Sequence, residues 1–138
     1  MFPSLFRFAT LLFLVATPVI AGCSPQEQWV RPSEVPTGPA CGPTDEQGKA
    51  SYYSDRLAGH PTASGAPYEP GAFTAAHRTL RLGTLVEVVR LDSGARVRVL
   101  VNDRGPFKAG RVVDLSSMAA DALDMKREGI VDVCVRVL

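Results

Sequence analysis

A chain of 138 residues, 46% hydrophobic and 21% charged, with a formal net charge of +1, has room for one domain with an ordinary apolar core. Near-neutrality excludes bulk electrostatic capture of nucleic acid. From Gly48 onward 13 Lys and Arg face 10 Asp and Glu, which suits a weakly basic groove. Two histidines, His60 and His77, and three cysteines lack ligand spacing, and there is no glycine-rich phosphate loop, so neither metal nor cofactor is expected.

In residues 1–22 Arg7 is the only charge, and Phe8 to Ile20 is an almost unbroken apolar run. That run is short of the roughly 20 residues a membrane-spanning helix needs and has the length of a signal-peptide core. It ends in Ile20-Ala21-Gly22-Cys23, the small-small-Cys pattern of a bacterial lipobox, in which Cys23 becomes the lipidated first residue. Cleavage after Ala21, leaving Cys23 a plain thiol, is the alternative. Cysteine parity favours lipidation, because acylating Cys23 leaves Cys41 and Cys134 as an even pair. Outside the cytoplasm such a pair can persist as a disulfide. The expected location is therefore the cell envelope, with the domain in the periplasm on a lipid anchor. Ser24 favours the outer membrane in a Gram-negative cell.

Residues 23–47 carry Pro25, Pro32, Pro36, Pro39 and Pro43 without apolar periodicity, and read as an extended tether. The folded domain is expected over residues 48–138. Lys49 to Tyr53 is strand-like. Leu85–Leu91 and Ala95–Val101 flank the hairpin loop Asp92-Ser93-Gly94. Val97, Val99 and Val101 share one face, opposite Arg96 and Arg98. Val112–Leu115 is a further strand. Ser116 can cap a helix over 117–125 with Met118, Ala119, Ala122 and Leu123 as its apolar stripe. Gly129 precedes a last strand, 131–137, on which Cys134 faces outward with Asp132 and Arg136. Many short strands with one embedded helix predict a small closed β-barrel, expected to be monomeric.

Three stretches carry a family signature: Gly48-Lys-Ala-Ser-Tyr-Tyr53; Thr74-Ala-Ala-His-Arg-Thr-Leu80 with Leu82-Gly83-Thr84; and Val101-Asn-Asp-Arg-Gly-Pro-Phe107 running on to Gly110-Arg-Val-Val-Asp-Leu-Ser116. Together they resemble the rare lipoprotein A family over the span from Gly48 to Leu138. The resemblance implies a six-stranded double-psi β-barrel shared with expansins. It also implies an endolytic lytic transglycosylase acting on peptidoglycan glycan strands that lack stem peptides.

Such an enzyme cleaves between N-acetylmuramic acid and N-acetylglucosamine without consuming water. One carboxyl protonates the departing oxygen, then takes a proton from the sugar's own primary hydroxyl as an anhydro ring closes. Asp103 matches the family's catalytic Asp; read alone it is equally a turn or ion-paired Asp beside Arg104 and Arg111. His77 matches the family's His, as a residue that orients the sugar or tunes Asp103, or as a satisfied structural histidine. Arg78, Asn102 and Arg104 are expected to hydrogen-bond glycan, with a barrel ion pair as the alternative for Arg104. Tyr52, Tyr53 and Tyr68 offer rings for sugar stacking or for the core. Asp114 reads as structural.

One position departs from the family. Its Thr-Ala-Ser-Gly-Glu stands here as Thr62-Ala63-Ser64-Gly65-Ala66, so Ala66 replaces an acidic residue, and Glu69 is the nearest substitute. That loss motivates a second reading, a non-catalytic, expansin-like glycan binder. A Cys41–His77 nucleophile pair is a third, disfavoured by the place of Cys41 in the tether.

Overall fold

The computed structural model describes residues 41–138. The leader, the lipidation site at Cys23 and most of the proline-rich tether lie outside the described residues. Six strands follow in chain order: β1 (Glu46–Tyr52), β2 (Thr74–His77), β3 (Leu85–Arg90), β4 (Arg96–Asp103), β5 (Arg111–Leu115) and β6 (Val131–Val137). A single 3-10 turn (Asp55–Leu57) follows β1, and one short helix, α1 (Ser117–Ala122), follows β5. Among the described residues no helix is long and apolar enough to cross a membrane.

The strands close into a barrel in the order β1-β5-β2-β4-β3-β6. β1 pairs with β5 and β2 with β4 in parallel, and the remaining pairs are antiparallel. Alternation builds the core. Val97, Val99 and Val101 of β4 point inward with Val86 and Val88 of β3 and Val131, Val133 and Val135 of β6. Between them Arg96, Arg98 and Leu100 face out. β-branched side chains suit this small interior, because their few rotamers cost little to fix on a pleated surface.

Gly48 is required by close approach. A Cβ there would overlap the side chain of Val112 on β5, so the parallel β1–β5 pair can form only without one. β1 also starts ahead of Gly48, at Glu46, since Glu46 and Gln47 pair with Val135 and Cys134 of β6.

The helix follows its expected cap but not its expected length or face. Ser116 Oγ accepts from the Ala119 amide as N-cap. The helix stops at Ala122 because Asp124 takes a left-handed φ of 49°, which turns Met125 into the core. Ala119, Ala120 and Leu123 are buried, whereas Met118 is 41% exposed and Ala122 is exposed, so the buried face is rotated from the predicted stripe. Arg90 clamps the end of α1 by donating to the carbonyls of Leu123 and Asp124.

Cys134 leaves the barrel interior, as the alternation of β6 requires, yet it is fully buried. The segment before β1 covers it: Cys41 and Cys134 are joined, with Cα atoms 5.6 Å apart. Asp45 on the same segment accepts two hydrogen bonds from Arg136, at 2.8 and 3.0 Å. Arg136 also reaches Glu87 on β3, which is buried and paired with Arg96 at 3.2 Å.

Candidate functional site

β2 is the axis of the site. Its Ala76 is in register with Asp103 of β4 on one side and with Asp114 of β5 on the other. Residues directly opposite on neighbouring strands project from the same face. Two carboxylates therefore flank one methyl group on the outer face, their backbones about two strand spacings, roughly 10 Å, apart. A register shift between Ala75 and Ala76 brings Asp103 level with Ala76. Such a bulge re-aims the side chain beyond it.

Asp103 is partly exposed, and no ion pair reaches it among the described residues. Its Oδ1 accepts from the backbone amides of Ala63 and Arg104, both at 2.8 Å. Its Oδ2 accepts from the Tyr53 hydroxyl at 2.8 Å. A carboxylate offers about four lone-pair directions, so three donors fix the group and leave one direction open at Oδ2.

The Tyr53 hydroxyl is held as a donor. Burial, then the hydrogen bond it donates to Asp103, and the charges of Asp103 and Asp114 push its pKa well above the usual 10.0. Tyr53 is thus a clamp on Asp103. Its ring packs against Tyr68 with centroids 5.1 Å apart.

The Ala63 amide arrives on a tight turn. Pro61 and Pro67 bridge, the Thr62 amide donates to the Ala66 carbonyl, and the Ser64 amide donates to the Asn102 carbonyl. Thr62 Oγ1 also bonds Ser64 Oγ and the Ala66 carbonyl, each at 2.8 Å. The loop that carries Ala66 is therefore docked on Asp103 and Asn102, and Ala66 itself is exposed.

Several expected residues stand elsewhere. His77 is 2% exposed and both its ring nitrogens are occupied. Nδ1 accepts from the amides of Thr79 and Leu80, which puts the proton on Nε2, and Nε2 donates to Glu46 Oε2 at 2.9 Å. This is the satisfied structural histidine, with no nitrogen left for a sugar or for Asp103. Arg104 makes no ion pair among the described residues; its guanidinium donates to the carbonyls of His77 and Leu80, at 3.1 and 2.7 Å. Tyr68 is 5% exposed and its hydroxyl accepts from the Ser117 amide, so it has no face for a sugar.

Glu69 and Arg78 are exposed and their side chains make no hydrogen bond or ion pair among the described residues. Asn102 is half-buried beside Asp103 with its side chain similarly uncommitted. Tyr52 reaches the Lys126 carbonyl at 3.5 Å and lines an open cleft of about 520 Å³ with Ser54, Asp55, Arg56, Ser117 and Lys126; Asp103 is not among its walls. Asp114 accepts from Ser51 Oγ through Oδ1.

The disulfide removes the thiol that a Cys41–His77 nucleophile would need. Among the described residues the one grouping with metal-ligand composition is Cys41, Asp45 and Cys134, and its two sulfurs are consumed by that same bond.

Sequence reasoning missed two parts of the site. The Ala63 amide had no signal, because a backbone donor is independent of its side chain. The placement of Asp114 beside Asp103 had one: Val113 and Leu115 are core residues, so Asp114 between them faces outward.

Comparison with known proteins agrees with this architecture. The family model described as lytic transglycolase matches residues 45–135. A Treponema pallidum protein described as a probable endolytic peptidoglycan transglycosylase RlpA is 51% identical over 89 residues, which is 64% of this chain and 28% of that protein. The Vibrio cholerae endolytic peptidoglycan transglycosylase RlpA is 42% identical over 93 residues, covering 67% of this chain and 35% of that protein. The chain thus spans about a third or less of the length of these relatives. Among solved structures, a Streptomyces papain inhibitor superposes with a TM-score of 0.55 at 25% identity, over 70% of this chain and 96% of that one. A Clavibacter michiganensis expansin superposes at 0.55 and 24% identity, over 68% of this chain and 50% of that one, and shows the shared fold. The chain belongs to the lytic transglycolase family, and its domain is a double-psi β-barrel of the rare lipoprotein A type.

Proposed function

We propose that this domain is an endolytic peptidoglycan transglycosylase with Asp103 as its acid/base. The observation that carries the reading is the state of that side chain: partly open, free of any guanidinium, and held by three donors with one acceptor direction to spare. Relatives that are 51% and 50% identical to this chain over aligned stretches of 89 and 94 residues bear the name of that activity.

Asp103 enters the cycle protonated and gives its proton to the bridging oxygen as the bond to the muramic acid C1 breaks. The carboxylate then takes the proton of the same sugar's C6 hydroxyl while that oxygen bonds C1. The products are an anhydro-muramic acid end and a free 4-hydroxyl, and the acid is regenerated. Tyr53 and the amides of Ala63 and Arg104 keep the group in place through both transfers. His77 and Arg104 act as positioning residues: together they pin the turn after β2, next to the site. The proposed setting is the bacterial cell envelope, with the lipid anchor at Cys23 tethering a monomeric domain over residues 48–138.

The test is digestion of amidase-stripped sacculi in ¹⁸O-labelled water, followed by mass spectrometry. Unlabelled anhydro ends are expected. Labelled reducing ends would show hydrolysis instead, with Asp114 as the second carboxylate across Ala76.

Ala66 favours a second reading, glycan binding without turnover. Its loop docks directly on Asp103, at the place where the family has a carboxylate. Under that reading the protein retains glycan and releases nothing, and Ala66→Glu, at an exposed position, restores release.

A further inference from the structure

Phe107 is 83% exposed, the most exposed of the large hydrophobic side chains among the described residues. It lies four residues after Asp103, and its ring stands beside Gly105. A Cβ built on Gly105 would lie 3.6 and 3.8 Å from Cε2 and Cδ2 of the ring and 3.9 Å from Asp114 Oδ2. With φ at 124°, Gly105 has a backbone that side-chain-bearing residues rarely adopt, so no side chain stands between the ring and the carboxylate. The result is a notch with a glycine floor, an aromatic wall and a carboxylate wall.

Only one oxygen of the carboxylate wall is used internally. Ser51 occupies Asp114 Oδ1, while Oδ2 takes no hydrogen bond from any described residue and points at the notch. A pyranose fits this chemistry. Its C–H face is apolar and lies against an aromatic ring, and its equatorial hydroxyls donate to an acceptor at the ring's edge. Tyr53 and Tyr68 do not offer this surface, since Tyr68 is buried and Tyr53 is committed to Asp103.

We infer that Phe107, Gly105 and Asp114 form a sugar subsite that stacks one pyranose of the glycan beside Asp103. The inference rests on the glycan reading of the site but not on turnover. Stacking explains why a Phe is left in water: the ring loses its contact with solvent only when a sugar covers it.

Binding separates the two claims. Asp103→Asn is titrated with oligomers of N-acetylglucosamine and with amidase-stripped glycan by calorimetry, alone and combined with Phe107→Ala or Phe107→Trp. Phe107→Ala is expected to weaken both ligands about tenfold, equivalent to roughly 1.4 kcal/mol. Phe107→Trp is expected to retain affinity. Because the side chain is exposed, the thermal midpoint should not move in either variant. Affinity of the Phe107→Ala protein equal to that of its parent overturns the subsite, as does a Phe107→Trp protein as weak as Phe107→Ala. If wild type yields no anhydro ends while the Phe107 dependence holds, the transglycosylase reading fails and the subsite stands.

Discussion

Asp103 and His77 are motif residues of similar standing in the sequence, and their surroundings separate them. Asp103 keeps an open acceptor direction; His77 keeps none. A buried imidazole with three hydrogen bonds contributes to stability, so His77→Ala should destabilise the fold by about 2–4 kcal/mol through lost packing and orphaned amides. Chemical denaturation checks this, and an unchanged midpoint would contradict it. Tyr53 makes a different prediction. Tyr53→Phe removes one donor from Asp103 while keeping the ring against Tyr68. Turnover should fall about tenfold, the effect of roughly 1.4 kcal/mol on a barrier. Loss of stability alone, with turnover per folded molecule unchanged, would rule out the clamp.

Among the elements, legibility in the sequence followed local pattern. β6 and the β3–β4 hairpin were readable because valine alternation and a glycine turn declare themselves within a few residues. β2 was not. Thr74–His77 is four residues with two alanines, a composition with little strand preference of its own. It is a strand because β4 and β5 supply partners on both sides, and that information lies far away in the chain. The site inherits the same limit: Asp103 and Asp114 come to flank one residue only because Ala76 pairs with both.

The segment Cys41–Asp45 behaves as a strap over β6. The bridge to Cys134 closes a loop of 93 residues, and Cys134→Ser should cost about 2–5 kcal/mol, read as a lower thermal midpoint. Asp45 adds a pH dependence. The hydrogen bond from Arg136 holds its carboxyl below the usual 3.8, so the folded state binds this proton less readily than the unfolded chain. The strap's contribution is therefore present above pH 3.8 and is lost as the pH falls through the lowered value. Thermal midpoints measured against pH should fall less steeply on the acid side in Asp45→Asn than in wild type. Parallel curves would contradict the assignment.

For the whole molecule, closure is what makes an open carboxylate affordable. The barrel buries its valines without an exposed sheet edge, and the chemistry is carried on the outside by the end of β4 and the turns that dock there. Family motifs made the barrel legible, but whether a side chain was open or satisfied depended on turns without a pattern. The most direct test compares wild type with Asp103→Asn on amidase-stripped glycan, scoring anhydro ends and the thermal midpoint together. Asparagine can still accept from the Ala63 and Arg104 amides, so the midpoint should hold. Product formation should drop by about 10²–10⁴-fold, the range for loss of a general acid/base. Equal product from the two proteins at equal stability would show that the carboxyl at 103 does not carry the reaction.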